Sequence, residues 1–159
     1  MGILQDVCFA CRCSKDKKEL LEIIRAMIPG TVETRNIVSN LEHNPIYDAQ
    51  LRLEVLCKVP DRYYSYEVVD YIIACADNTE LLKRLYNADI NRFGGFVAVN
   101  IKDAAEIEKM YHSGNIVIQR AVVCNSSART EFLKKVIEES SDARIIEFAT
   151  ETLKGLARD

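Results

Sequence analysis

Three cysteines near the start of the chain are the residues whose type and spacing best suit chemistry. Cys8, Cys11 and Cys13 form the pattern Cys-x-x-Cys-x-Cys. Thiols this close together could present soft ligands to zinc or to an iron–sulfur cluster. A closed tetrahedral site needs a fourth ligand, and no spacing selects one. The candidates are His43, His112 and Cys57. Because the doubled Cys-x-x-Cys pattern of zinc sites is absent, we expect no cofactor and keep zinc or an iron–sulfur cluster as the alternative.

Four arginines recur at similar positions in related segments of the chain. They are Arg35, Arg52, Arg120 and Arg144. The planar guanidinium matches carboxylate and phosphate groups, so these side chains are candidates for binding an acidic partner. They could also pair with acids of the neighbouring repeat, such as Asp48, Asp89 and Asp142. We favour this structural pairing, since a position that recurs in each unit belongs to the repeat itself.

A tyrosine cluster begins within a predicted loop over 60–65. Tyr63 and Tyr64 are candidate partner-binding residues, with Tyr66 beside them, because tyrosine is enriched at the energetic centres of protein interfaces. Packing of the loop over the core is the competing interpretation, and the sequence does not separate the two.

Basic residues recur on a second set of predicted helices. They are Lys83, Arg84, Lys109, Lys134, Lys135 and Lys154. Such a ridge could meet nucleic acid, whose phosphates attract lysine and arginine. The chain has a net charge of −3 and a pI near 5.5, whereas nucleic-acid-binding domains are usually strongly basic. We therefore interpret the ridge as a solvated face balanced by glutamates, and nucleic-acid binding is the weaker alternative.

No motif for catalysis is present. The chain lacks a nucleophile elbow, a phosphate-binding loop, a His-Glu-x-x-His helix and the kinase signatures. Its two histidines have no obvious acid or nucleophile partner in the sequence. We expect a protein that is not an enzyme.

The elements that would position these residues are short repeated helices. The clearest pair of related segments is 35–40 and 120–125, each with arginine first and asparagine last. Further segments end at 75, 100, 125 and 149, so the intervals are 25, 25 and 24 residues. Their apolar residues recur at intervals of three and four, which predicts helices rather than strands. Asn40, Asn100 and Asn125 are predicted to lie at helix ends.

A second helical segment follows each of the C-terminal repeats. These segments begin with Glu80, Glu106, Glu131 and Glu151. Asp77 and Asp103 each precede a glutamate by three residues, which is the spacing of a capping box. Helices this short are unstable alone, so stacked neighbours must bury their apolar faces.

Residues 115–125 and 141–149, with the pair Phe132-Leu133 between them, resemble the variant leucine-rich repeat, which is similar in layout to HEAT repeats. The resemblance covers 90–156 well and 31–89 loosely. It implies a right-handed superhelix of paired helices, one of each pair often short. The family includes a member whose N-terminal cysteines hold an iron–sulfur cluster. The sequence departs from the repeat at Asp70 and Gly95, where arginine is expected.

The composition is that of an ordinary globular protein, with 159 residues of which 48% are hydrophobic and 28% charged. We expect one all-α domain over 1–159, with a cysteine-containing segment at 1–14 and a right-handed solenoid of five to six repeats of about 25 residues at 15–159. No apolar run reaches the ~18 residues of a membrane span, and no secretory signal is present. We expect a cytoplasmic monomer or weak dimer that presents a concave surface to a protein partner.

Overall fold

The computed structural model describes residues 2–159, apart from the side chain of Ser65. The prediction of an all-α fold is confirmed, because these residues form eleven α-helices and no strand. The helices are α1 (Ile3–Cys13), α2 (Lys17–Ala26), α3 (Val32–Leu41), α4 (Ala49–Lys58), α5 (Ser65–Ala74), α6 (Thr79–Ala88), α7 (Ile90–Asn100), α8 (Ala104–Ser113), α9 (Ile116–Val123), α10 (Thr130–Glu139) and α11 (Ala143–Leu156). A single 3₁₀ turn, Pro60–Arg62, precedes α5.

Two compact units make up the chain, residues 1–74 and 75–159. The first contains α1 to α5 and the second contains α6 to α11. The right-handed superhelix and the single domain over 1–159 stay predictions.

Polar side chains at the helix starts set most of the boundaries. Asp103 accepts the backbone N–H of Glu106 at 3.0 Å, which confirms the predicted cap. The predicted cap at Asp77 is wrong, because the neighbouring Asn78 accepts the N–H of Leu81 instead. The other residues whose side chains cap helices are Asp16, Thr31, Asp48, Asp89, Asn115 and Asp142. Each cap satisfies at least one of the N–H groups that a helix start leaves unpaired.

Two boundaries differ from the sequence-based expectation. The cysteine-containing segment at 1–14 is itself mostly helical, as α1. At the other end, the expected second helix beginning at Glu151 is wrong, because α11 runs unbroken from Ala143 to Leu156. Neither glycine nor proline lies between 143 and 154, so nothing in this stretch ends the helix.

The first unit packs its helices alternately. α1 lies against α3, and α2 lies against α4, which also contacts α5. Leu20 and Ile24 of α2 and Leu51 of α4 are fully buried in the core between them. The turn after α2 ends at Gly30, whose φ of +83° is a conformation that glycine adopts without strain.

The second unit is built from consecutive helical pairs. α6 packs on α7, α8 on α9 and α10 on α11, while α9 also contacts both α7 and α11. The first helices of the three pairs begin at 79, 104 and 130. This spacing matches the interval of about 25 residues expected from the sequence.

A buried asparagine ties the ends of two of these helices together. Asn125 follows α9, and its Nδ2 donates to the carbonyl oxygens of Ala98 and Ile101, both at 2.8 Å. Its Oδ1 accepts the N–H of Ser127 at 2.8 Å. Both carbonyls lie at the C-terminal end of α7, where the last carbonyl oxygens of a helix have no N–H donor within the helix. The side chain of Asn125 therefore supplies donors to two carbonyls at the end of α7 and fixes the turn after α9.

The first unit contains the same arrangement around Asn44. Its Nδ2 donates to the carbonyl oxygens of Cys11 and Ser14 at 2.9 Å, and its Oδ1 accepts the N–H of Ile46 at 3.0 Å. The counterpart of Asn125 is therefore Asn44. The predicted equivalence with Asn40 is wrong, because Asn40 donates to a carbonyl of its own helix.

The similarity extends through the connection that follows α1 and α7. α1 and α7 each have eleven residues, and α2 and α8 each have ten. Ser14, after α1, has φ −63° and ψ 139°, and Ile101, after α7, has φ −60° and ψ 136°. The caps Asp16 and Asp103, 87 residues apart, also share extended geometry. Segments α1–α2 and α7–α8 are thus structural repeats of one another.

We expect Asn125→Ala to lower the free energy of unfolding by about 2 kcal/mol, because it leaves two buried carbonyls without donors. Urea unfolding of the full chain measures the change. Asn40→Ala is the matched control, since the side chain of Asn40 donates to a carbonyl of its own helix, and its loss should be much smaller. Equal losses for the two variants would contradict the structural role of Asn125.

Candidate functional site

α1 directs the three N-terminal cysteines to different sides. Successive residues turn by about 100° in a helix, so Cys8 and Cys11 share a face while Cys13 points about 200° away from Cys11. Cys11 is fully buried and Cys13 is exposed. Burial is the largest cause that raises the pKa of Cys11 to about 11, and the neighbouring Cys8 and Glu19 raise it further. The raised pKa disfavours the thiolate that a metal needs.

Within residues 2–159 the structure brings together no group of three His, Cys, Asp or Glu side chains in metal-binding geometry. The zinc or iron–sulfur hypothesis stays a prediction.

The four arginines have different environments. Arg120 Nη2 donates to Asp142 Oδ2 at 2.8 Å, which is the pairing with a neighbouring repeat that the sequence favoured. Asp142 also caps α11, and the hydrogen bond from Arg120 holds the pKa of Asp142 below its usual value. Arg35 and Arg144 are exposed on α3 and α11. They remain candidates for contact with a partner.

Arg52 interacts with aromatic rings. Its Cζ lies 5.0 Å from the ring centroid of Tyr47 and 5.1 Å from that of Tyr71. The ring faces attract the guanidinium, so Arg52 contributes to the packing of the first unit.

The two predicted tyrosines have different environments. Tyr63 is half-buried, and its hydroxyl donates to Glu42 Oε1 at 3.0 Å. Burial raises the pKa of Glu42, but the hydrogen bonds from Arg62 and Tyr63 outweigh it and bring that pKa below its usual value. Tyr63 thus holds the loop against α3. Tyr64 is exposed and stacks on Tyr66, with ring centroids 5.8 Å apart.

The basic ridge is balanced by glutamates, as the sequence predicted. Lys83 lies 3.4 Å from Glu106, and Lys109 lies 3.1 Å from the same carboxylate. Lys134 and Lys154 each pair with a glutamate three residues earlier. These pairs leave little uncompensated positive charge for a nucleic acid to meet.

A groove of about 520 Å³ lies between α8 and α10. Tyr111, His112 and Phe132 form its aromatic part, with edge-to-face contacts between the rings. At its rim, Arg129 lies 3.6 Å from Glu108. The rings of Tyr111 and Phe132, whose centroids are 5.4 Å apart, link α8 to α10 across this groove.

A second groove, of about 460 Å³, lies between α7 and α9. We call it the α7/α9 groove. Its apolar walls contain Phe96 and Val99 from α7 and Val117 and Ala121 from α9, and Gly95 lies between them. The side chain of Val117 is 64% exposed. Its concave shape and apolar lining make the α7/α9 groove a candidate binding site.

The two consecutive glycines of α7 have different roles. A Cβ at Gly94 would lie 2.7 Å from Cδ1 of Ile118, so Gly94 permits the close approach of α7 and α9. A Cβ at Gly95 would meet nothing within 4 Å. Gly95 has no positive φ, and it lies inside a helix. Neither the packing nor the backbone requires glycine at this position.

Sequence reasoning singled out Gly95 as a departure from the repeat pattern but assigned it no role. It missed the groove because the helix pairing that forms it is not visible in the local sequence. The available signal was Gly95 itself, where the repeat pattern expects arginine.

No family model, no curated protein and no solved structure matches this chain. The resemblance to the variant leucine-rich repeat therefore stays a prediction. None of the helices in the part of the chain that the structure describes has the length and apolar character needed to cross a membrane.

We expect the cysteines of α1 to react in the order of their exposure. In the native protein, iodoacetamide should label Cys13 rapidly and Cys11 only after unfolding, because Cys11 is buried and its pKa is about 11. Mass spectrometry of tryptic peptides measures the labelling. Protection of Cys13 that disappears when a chelator is added would contradict this order and support the metal site.

Proposed function

We propose that this chain is a non-enzymatic helical-repeat module that binds a segment of a protein partner in the α7/α9 groove. The observation that supports the proposal most directly is Gly95, a glycine inside a helix for which the fold gives no structural reason.

Glycine in a helix interior lowers stability by about 0.5–1 kcal/mol relative to alanine. The equivalent position of α1, 87 residues earlier, is Cys8, so this type of helix accepts a side chain there. A small residue at 95 leaves room in the groove for another molecule. Room for a bound partner segment would explain a glycine at position 95, which the fold itself does not require.

The form of the groove favours a helical segment as the occupant. α7 and α9 run parallel, since the early residues Gly94 and Ile118 meet and Asn125, after α9, bonds to the end of α7. A groove between parallel helices accepts the apolar face of a third helix. Asn91 and Asn115 supply polar groups at the end where α7 and α9 begin.

The larger architecture that we propose is a right-handed superhelix like those of variant leucine-rich and HEAT repeats. The alternation of helix pairs and the repeated asparagine motif support this arrangement. Arg35, Arg144 and Tyr64 would then supply further contacts, because each is exposed in the structure.

To test the groove, a photo-reactive amino acid is placed at Val117 and the protein is irradiated in an extract of its source. We expect a covalent adduct with a specific protein, and we expect Gly95→Leu to abolish it by filling the groove. The matched control carries the photo-reactive group at Glu147, an exposed residue of α11 outside the groove.

Stability measurements separate blocking from unfolding. Gly95→Ala should raise the free energy of unfolding by about 0.5–1 kcal/mol, and Gly94→Ala should be less stable than Gly95→Ala because Ile118 must move. An adduct that is the same at Val117 and Glu147, or that persists in a folded Gly95→Leu protein, would contradict the proposal.

A further inference from the structure

The first unit has an open apolar face on α1 and α2. Ile3, Val7 and Ala10 of α1 and Ile23 and Ala26 of α2 line a shallow groove of about 460 Å³. We call this the α1/α2 face. Ile3 is 85% exposed, and Val7 and Ile23 are half-buried against the core beneath. The acidic residues around it are Asp6, Glu19 and Glu22.

The second unit shows how the same face looks when a helix covers it. Because α7–α8 repeats α1–α2 at an interval of 87 residues, Gly94 corresponds to Val7 and Met110 to Ile23. α6 lies over these positions: Cε2 of Tyr86 is 3.4 Å from a Cβ built on Gly94. Met110 is 5% exposed, and it lines a small crevice together with Tyr86.

α6 meets this face with a defined side-chain pattern. Its buried residues are Leu81, Leu82, Leu85 and Tyr86. Between them, Lys83 extends to α8, where its Nζ lies 3.4 Å from Glu106 Oε1. The counterpart of Glu106 is Glu19, within the sequence Lys-Asp-x-x-Glu that both segments share. The carboxylate that receives the lysine of α6 is thus also present on the α1/α2 face.

The α1/α2 face is more acidic than its covered counterpart. The positions equivalent to Asp6 and Glu22 are Phe93 and Lys109. Two negative charges therefore replace an aromatic ring and a positive charge. An occupant of the α1/α2 face must supply more positive charge than α6 does.

We propose that the α1/α2 face binds a basic amphipathic helix of a partner protein, in the way that α6 covers α7 and α8. The helix places leucine-like side chains against Val7 and Ile23, and lysine or arginine beside Glu19 and Glu22. A second copy of the same face is a poor occupant, because its carboxylates would oppose identical carboxylates. This proposal uses a different surface from the α7/α9 groove and does not depend on it.

The probe is a fluorescently labelled peptide with the sequence of residues 78–88 that carries Glu80→Lys, with a hydrocarbon staple on its solvent face to stabilise the helix. Fluorescence anisotropy measures its binding to the full chain. We expect Ile3→Asp and Glu22→Lys each to weaken binding by about tenfold or more, and added salt to weaken it as well.

Two exposed residues of the first unit provide matched controls. Phe9→Asp changes another exposed apolar residue of α1, and Glu33→Lys reverses an exposed acid of α3. Neither residue lines the α1/α2 face, so both variants should bind within about twofold of the unchanged protein. Circular dichroism melts check that all four variants fold.

Three results would overturn the proposal. The first is no saturable binding below about 1 mM peptide. The second is an equal loss of binding in Phe9→Asp and Ile3→Asp. The third is a concentration-dependent dimer in sedimentation that Ile3→Asp abolishes, because this would assign the face to a second copy of the chain.

Discussion

Short helices create a problem that this protein solves with a side-chain amide. A helix of about ten residues leaves its last carbonyls unpaired, and burial of such groups is unfavourable unless a donor reaches them. Asn44 and Asn125 provide two donors each, at the ends of α1 and α7. Asn44 follows α3, which packs on α1, and Asn125 follows α9, which packs on α7. The hydrogen bonds therefore fix the register within each of these two pairs of packed helices. The grooves and the covered faces depend on this register.

The same motif carries different surfaces in the two units. On the side that faces α9, α7 has glycines at 94 and 95, and the groove between α7 and α9 is open. α1 has Val7 and Cys8 at these positions. The helix α6 covers the segment α7–α8, and its side chains indicate what kind of helix could cover the equivalent segment α1–α2. A repeated backbone with substituted side chains thus gives two apolar surfaces of different chemistry, of which only the α1/α2 face has acidic residues around it, and we propose a binding role for each.

Much of the fold could be predicted from the sequence, because helical periodicity and capping are local properties. The interval of about 25 residues and the cap at Asp103 are examples. The register between repeats could not be predicted from local residues. Matching Arg35 with Arg120 aligned Asn40 with Asn125, whereas the hydrogen bonds assign that role to Asn44. The Lys-Asp-x-x-Glu sequence at 15–19 and 102–106 was the better guide, because it marks the same connection in both units.

The structure assigns Asn44 and Asn125 the role of buried donors to helix-end carbonyls. Exchange of their side-chain NH₂ protons with water, measured by NMR on ¹⁵N-labelled protein, tests it directly. The structure predicts slow exchange for both amides and fast exchange for the exposed Asn91. Exchange at Asn44 and Asn125 as fast as at Asn91 would contradict the account.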